Sequence, residues 1–281
     1  MMLRTIGLVA AAAAAALLYV DVSSDNFRQK VKREIQQIRR GDAGVRAQVF
    51  RYKDLKGLPE PVQRYFKYAM KDGQEYIRSV TLKQDGVFRT KQANRWIPFE
   101  AEQHYATGSP AFVWYACLKP SPYVWIDARD MYYGGSGTMV GKLLSAVPLS
   151  SAVGRETDIS SLGRFLAESP WFPTALLPGE HIDWKYIDAD TAKVVIRDHG
   201  YSVSAVFTFN EKGEITQVTT DERYRNMDGR FRKERWTGYF RNYRDMNDVK
   251  IPTEVEAEWN LSQGNFSYAR MKVMEIRYND S

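Results

Sequence analysis

The sequence predicts a mainly β protein with helical insertions. The expected form is a large curved antiparallel sheet or half-open barrel with a helical lid, preceded by an N-terminal membrane helix. Three observations predict it. Apolar and polar residues alternate with period two in runs that recur from Ile77 onward. Turn residues separate these runs at hairpin spacing. One strongly apolar, proline-broken stretch interrupts them between Gly134 and Gly179.

Thr5 to Val20 is uncharged and Ala-rich, bounded by Arg4 and Asp21. A helix of that length reaches about 24 Å, short of the roughly 30 Å hydrocarbon core, which suits the apolar region of a signal peptide. Val22 and Ser24 offer a small-residue cleavage pattern. Six basic residues between Arg28 and Arg40, against one before the segment, favour an uncleaved anchor instead. Residues 1–24 are therefore assigned to a membrane anchor or signal segment, a single span in a bacterial inner membrane. Flanking charge then places the following domain in the cytoplasm, and cleavage would place it in the periplasm.

Residues 25–54 read as a basic helix and linker. Phe27, Val31, Ile35 and Ile38 recur at helical spacing and leave the basic side chains on the other faces. The helix suits either a membrane surface or a solvated linker.

Residues 55–281 are assigned to one antiparallel β domain with a helical insertion at 134–179. Gly57 to Gly73 is a helix: Pro59 and Pro61 suit its first turn, and Val62, Tyr65, Phe66, Ala69 and Met70 form one stripe to pack on the sheet. The strands follow. Phe99, Ala101, Gln103 and Tyr105 share one face of a strand and Glu100, Glu102 and His104 the other, wet face. Val203, Ala205, Phe207 and Phe209 alternate in the same way, as do Val255, Ala257, Trp259 and Leu261. Further strands are expected near 78–90, 111–118, 123–128, 192–197, 214–225, 232–244 and 266–278. Asn210–Gly213 and Asp228-Gly229 fit hairpin turns, and Ile251-Pro252 fits the start or the edge of a strand. Within the break, Gly134-Gly135-Ser136-Gly137 reads as a flexible turn. Ile159–Ser169 reads as a helix with Asp158 or Ser160 as its N-cap. Ser169–Gly179 carries three prolines and is too apolar for solvent, so it reads as a lid or plug on the concave sheet face.

Charge excludes some functions. The net charge is +6, but residues 1–40 hold seven basic against three acidic side chains, which accounts for four of the six. The nearly neutral remainder lacks the basic field of a nucleic-acid binder, so no nucleic-acid partner is expected. The single Cys117 permits no internal disulfide and, within an apolar strand, reads as a buried thiol. His104, His181 and His199 show no metal-ligand spacing, so no metal is expected, and no cofactor or phosphate-binding motif is present.

Glu168 is the one candidate catalytic residue. Buried beside Pro170-Trp171-Phe172 it would act as an acid, whereas pairing with Arg164 one helical turn earlier would make it structural. The abundant aromatics supply a candidate apolar pocket of Trp114, Trp125, Tyr133, Phe165, Trp171, Phe172, Trp236 and Trp259, with core packing as the alternative. Arg223, Tyr224, Arg225, Arg230, Arg232, Lys233 and Arg235 surround the Asp228-Gly229 turn. They read as a solvated hairpin end, with a phosphate or lipid head-group site as the alternative.

Three stretches resemble a bacterial family of unknown function: Leu58-Pro59-Glu60-Pro61-Val62-Gln63-Arg64-Tyr65-Phe66, Gly86–Arg89 with Trp96–Phe99, and the run from Arg164 to Pro178 that reads RFLAESPWFPTALLP. The resemblance covers roughly residue 55 to the end and implies no activity. The strand plan, with Phe240–Pro252, also resembles the LolA/LolB lipoprotein-carrier fold, a half-open barrel with helices in its mouth. That resemblance implies an apolar cavity. The expected function is thus a membrane-associated, non-catalytic binding protein for a lipid, acyl chain or other apolar ligand in a bacterial envelope, touching membrane lipids through its N-terminal segment and basic helix. A hydrolase-like enzyme using Glu168, or an envelope scaffold without a ligand, are the alternatives.

Overall fold

A computed structural model describes residues 2–41, 48–227 and 229–280. Part of the linker assigned to 25–54, residues 42–47, and Asp228 of the basic hairpin lie outside the described residues. Among the described residues thirteen strands form one sheet: β1 (Ser79–Phe88), β2 (Ile97–Ala106), β3 (Ala111–Ser121), β4 (Val124–Tyr133), β5 (Ser136–Leu143), β6 (Val147–Ala152), β7 (Ile182–Tyr186), β8 (Thr191–Asp198), β9 (Tyr201–Phe209), β10 (Ile215–Met227), β11 (Arg230–Met246), β12 (Val249–Leu261) and β13 (Gly264–Tyr278). Every pairing is antiparallel.

Two meanders build the sheet. β1 to β6 run outward to one edge, β7 to β13 run inward from the other, and β1 pairs with β13 in the middle. Between the edges the chain travels as helix α3 (Arg155–Glu168) and two short 3-10 turns, Ser169–Trp171 and Pro173–Leu176. Curvature brings the two halves together at one end. The β4–β5 turn at Gly135 lies so close to His199 in the β8–β9 turn that a Cβ on Gly135 would fall 2.5 Å from the His199 Cβ. α3 bridges the gap: Asp158 Oδ1 accepts the Gly137 amide at 2.7 Å and Oδ2 accepts the Tyr201 hydroxyl at 2.9 Å.

The insertion differs from expectation. Residues 136–152 are strands β5 and β6, not helix or flexible loop. β6 is almost wholly exposed, so it lacks the alternation that marks a half-buried strand. Gly134 and Gly135 do form a turn, while Gly137 permits a close approach of α3: a Cβ there would meet the Thr157 carbonyl oxygen at 2.6 Å. Helix α3 begins at Arg155, so Asp158 and Ser160 lie inside it, and their side chains bond to the sheet rather than cap.

The inner face is packed. Helix α2 (Glu60–Ala69) lays Val62, Tyr65, Phe66 and Ala69 onto it as the stripe predicts, each fully buried. Of the two readings, lid or plug, the proline-broken run is the plug: Trp171, Phe172 and Leu176 have no exposed surface and belong to the core. β12 leaves β13 beyond Glu254, and Trp171 fills the divergence. Its Nε1 donates to the Pro252 carbonyl at 3.0 Å, and its own carbonyl accepts the Tyr278 hydroxyl at 2.9 Å. Pro252 thus sits at a local edge, where its missing N–H costs no ladder bond.

The outer face carries helix α1 (Met2–Gly41), one continuous helix rather than a span and a separate basic helix. Phe27, Val31 and Ile38 pack on Ala106, Ala111 and Val113, with Tyr115, Met131, Tyr133 and Val140 beside them. Neither a membrane surface nor solvent covers that stripe; the sheet does. Glu34 Oε2 lies 3.2 Å from Arg129 Nε, and Arg39 Nη2 donates to Thr81 Oγ1 at 3.4 Å. Among the described residues no helix is long and apolar enough to cross a membrane.

Candidate functional site

The pleat of β4 sends Trp125, Asp127, Arg129, Met131 and Tyr133 outward and Ile126, Ala128, Asp130 and Tyr132 inward. Trp125 and Tyr133 therefore cannot line a pocket with the other aromatics. Trp125 Nε1 donates to Asp127 at 3.0 Å, and Tyr133 borders the α1 interface. Phe165, Trp171 and Phe172 are buried core, so they line no open pocket either. Of the rest, Trp114 is half-buried, and Trp236 and Trp259 are buried at 4% and 8% exposure; all three share the inner face at the end that α2 and the 3-10 turns leave free.

At the border between the packed and the free part lies an ionic cluster. Glu168 accepts from Arg164 Nε, Gln103 Nε2 and Tyr105 hydroxyl, each at 2.9 Å. Arg164 Nη1 also reaches Asp130 Oδ2 at 2.5 Å, and its guanidinium lies over the Trp114 ring, 4.9 Å from the centroid. Burial raises Asp130 above the usual carboxylate range despite Arg164 beside it. Burial also raises the Tyr105 phenol. Glu168 thus has the structural arrangement, pairing with Arg164: three donors engage its two oxygens, and it clamps α3 to β2.

The free part is apolar and half-exposed. Phe88, Trp114, Ile126, Leu261, Tyr268 and Met271 face inward there without full burial. Trp259 stacks on Tyr268 with centroids 5.9 Å apart, and Trp236 Nε1 donates to the Tyr268 hydroxyl at 3.0 Å.

Arginines lie over these rings. Arg223 sits 4.7 Å from the Trp236 centroid and 5.6 Å from that of Trp259. Arg225 and Arg89 each lie 5.6 Å from the Phe266 centroid, and Arg89 lies 4.3 Å from that of Trp96. The basic hairpin is therefore not uniformly solvated: Arg223 and Arg225 are half-buried on the inner face, while Arg230, Arg232, Lys233 and Arg235 are exposed. A bulge after Thr220 shifts the strand against β11, which period-two reading cannot anticipate. The sequence signal that could have found the site is the basic run itself, read together with the inward Trp236 and Trp259.

The remaining candidates separate. His104 is 4% exposed, not wet, because α1 covers its side of the sheet; it bonds Glu102 at 2.6 Å and holds that carboxyl below its ordinary range. Cys117 is half-buried rather than buried, and burial pushes its thiol up. Among the described residues no cluster of three or more His, Cys, Asp and Glu is placed to hold a metal ion. Two surface clefts lie elsewhere. One, of about 470 Å³, is lined by Glu60, Arg64, Lys67, Tyr68, Lys212 and Lys250, and the other, of about 380 Å³, runs beside α1.

An open, strongly curved antiparallel sheet, strapped across its inside by one helix and carrying an aromatic-arginine end, defines the class of this protein. The chain belongs to DUF6544, a family of unknown function, which it matches over residues 48–271. No curated protein matches it. Among solved structures it is similar to a LolA superfamily protein from Nitrosomonas europaea, at 8% identity and a TM-score of 0.43, covering 79% of this chain and 93% of that one. It is also similar to an outer membrane lipoprotein-sorting protein domain from Vibrio parahaemolyticus, at 9% identity and a TM-score of 0.41, covering 82% and 92%. A DUF1329 family protein from Desulfovibrio piger is similar at 9% identity and a TM-score of 0.41, covering 78% and 91%. The resemblance to a family of unknown function, drawn from the sequence, is met.

Proposed function

We propose that the protein binds an apolar or amphipathic ligand, without catalysis, on the free end of the inner face. The observation that carries this reading is the row of inward, half-exposed apolar side chains from Phe88 to Met271. Trp114 borders this row and would report an occupant by its fluorescence. Native mass spectrometry of the full chain, purified gently, tests the proposal. A retained or added acyl-chain compound, with a change in tryptophan emission that Met271→Asp abolishes, is the expected result. A chain that takes up no long-chain compound under any condition sinks it.

The same reading places the protein at a membrane of a bacterial envelope. Ile6, Leu8, Leu17, Leu18, Tyr19 and Val22 are all more than half exposed on the N-terminal part of α1. Such a series of large apolar side chains suits lipid better than water. The full chain should float with anionic phospholipid vesicles and Leu17→Asp/Leu18→Asp should stay behind; equal flotation of both removes the α1 contact.

A further inference from the structure

We infer that the ligand of the inner face is an anionic amphiphile, whose acid group is held by Arg223 and Arg225 with Arg89 beside them while its chain lies on the aromatic floor. The inference rests on the binding function proposed above and narrows its chemistry. Its starting point is a charge imbalance. Among the described residues no carboxylate is within ion-pair distance of Arg89, Arg223 or Arg225; their contacts are aromatic rings and, for Arg89, the carbonyls of Ser267 and Gln92. The acids nearby are engaged elsewhere. Glu234, opposite Arg223 on β11, pairs with Arg232 at 3.0 Å, and Asp130, which feels the Arg223 charge, pairs with Arg164.

The imbalance is costly where it lies. Arg223 Nε is shut off from solvent and meets no acceptor. A half-buried cation with one donor enclosed and no counter-charge loses hydration there, and the ring faces below it return part of that loss. An incoming anion would supply the missing acceptor and gain a charge-assisted bond in a water-poor setting. Guanidinium groups fit carboxylate and phosphate oxygens in particular, through paired donors in one plane. The chain of the same molecule would meet Trp259, Tyr268 and Phe88, which adjoin the arginines through shared ring contacts.

Two head groups share this chemistry, a fatty acid carboxylate and a phosphate monoester. The test titrates the full chain, by tryptophan emission and native mass spectrometry, with palmitate, 1-palmitoyl lysophosphatidic acid and uncharged 1-monopalmitoylglycerol. At least one acid is expected to bind about tenfold or more tightly than the neutral glyceride. That gap should close in Arg223→Gln/Arg225→Gln, with melting unchanged. Arg225→Gln alone, at the exposed end of β10, gives the readout if the double variant fails to fold, and should narrow the gap severalfold. The tighter acid identifies the head group. Equal binding of all three compounds overturns the charge inference and leaves the apolar reading standing. Binding of none overturns both. A preference for acids that survives the arginine variants overturns the assignment to these residues.

Discussion

Asp158 shows how much one side chain can hold in an open sheet. Its carboxylate is 8% exposed and ties the β5 backbone to a β9 tyrosine from the first turn of α3. Together with the Tyr132 hydroxyl of β4, which donates to Asp198 Oδ2 of β8 at 2.7 Å, these bonds join the two halves of the sheet across the gap. Bonds to a charged group contribute on the order of 2 kcal/mol each, and a donor left buried without its acceptor adds to the cost. Asp158→Ala should therefore lower unfolding stability by about 3 kcal/mol or more in urea titration. Asp158→Asn, which keeps one acceptor, should lose less. A loss below about 1 kcal/mol for the alanine variant would mean that the two halves hold without the bridge.

Helices explain why both sheet faces are apolar, and why the sequence misleads about which residues meet. The alternation in 99–105, 203–209 and 255–259 identifies the inner face correctly: Phe99, Tyr105, Val203, Phe207, Phe209, Val255 and Trp259 are all buried. The second helix stripe is equally legible, because Val62, Tyr65, Phe66 and Ala69 follow one period from end to end. Trp125 and Tyr133 mislead because α1 covers the outer face, which makes that face look like a second core. Its period-two spacing with Asp127 and Arg129 already placed Trp125 on their face, opposite Ile126 and Ala128. β6 and β7 leave no pattern to read: the first is exposed and the second spans five residues. Aromatic content marks the candidate site, but its arginines are legible only after the bulge in β10 is known.

The docking of α1 makes a further prediction at this scale. Arg129 is 4% exposed at its side chain and Glu34 13%. Removing one partner of so enclosed a pair strands the other charge. Glu34→Gln should cost on the order of 3 kcal/mol and speed hydrogen exchange along residues 24–38. A change confined to the exchange rates, with stability intact, would show a helix that undocks without weakening the sheet.

The whole molecule is arranged so that its earliest and latest strands are neighbours. Val80 faces Tyr278, and the Asn279 side chain accepts from the Arg78 amide at 2.8 Å, so β1 and β13 close the middle of the sheet and not its rim. Most stabilising pairs within each meander are local, but this central one spans nearly the whole chain, which slows its formation. On the ribosome, the two half-sheets would emerge in turn with bare inner edges at β1 and β12, the kind of edge that recruits foreign strands. A chain ending at Leu261 should accordingly aggregate or be digested as two separate pieces; one cooperative melt for that truncation would refute this. Synthesis itself thus sets a waiting period, during which two unpaired strand edges stand open until β13 is released to join them.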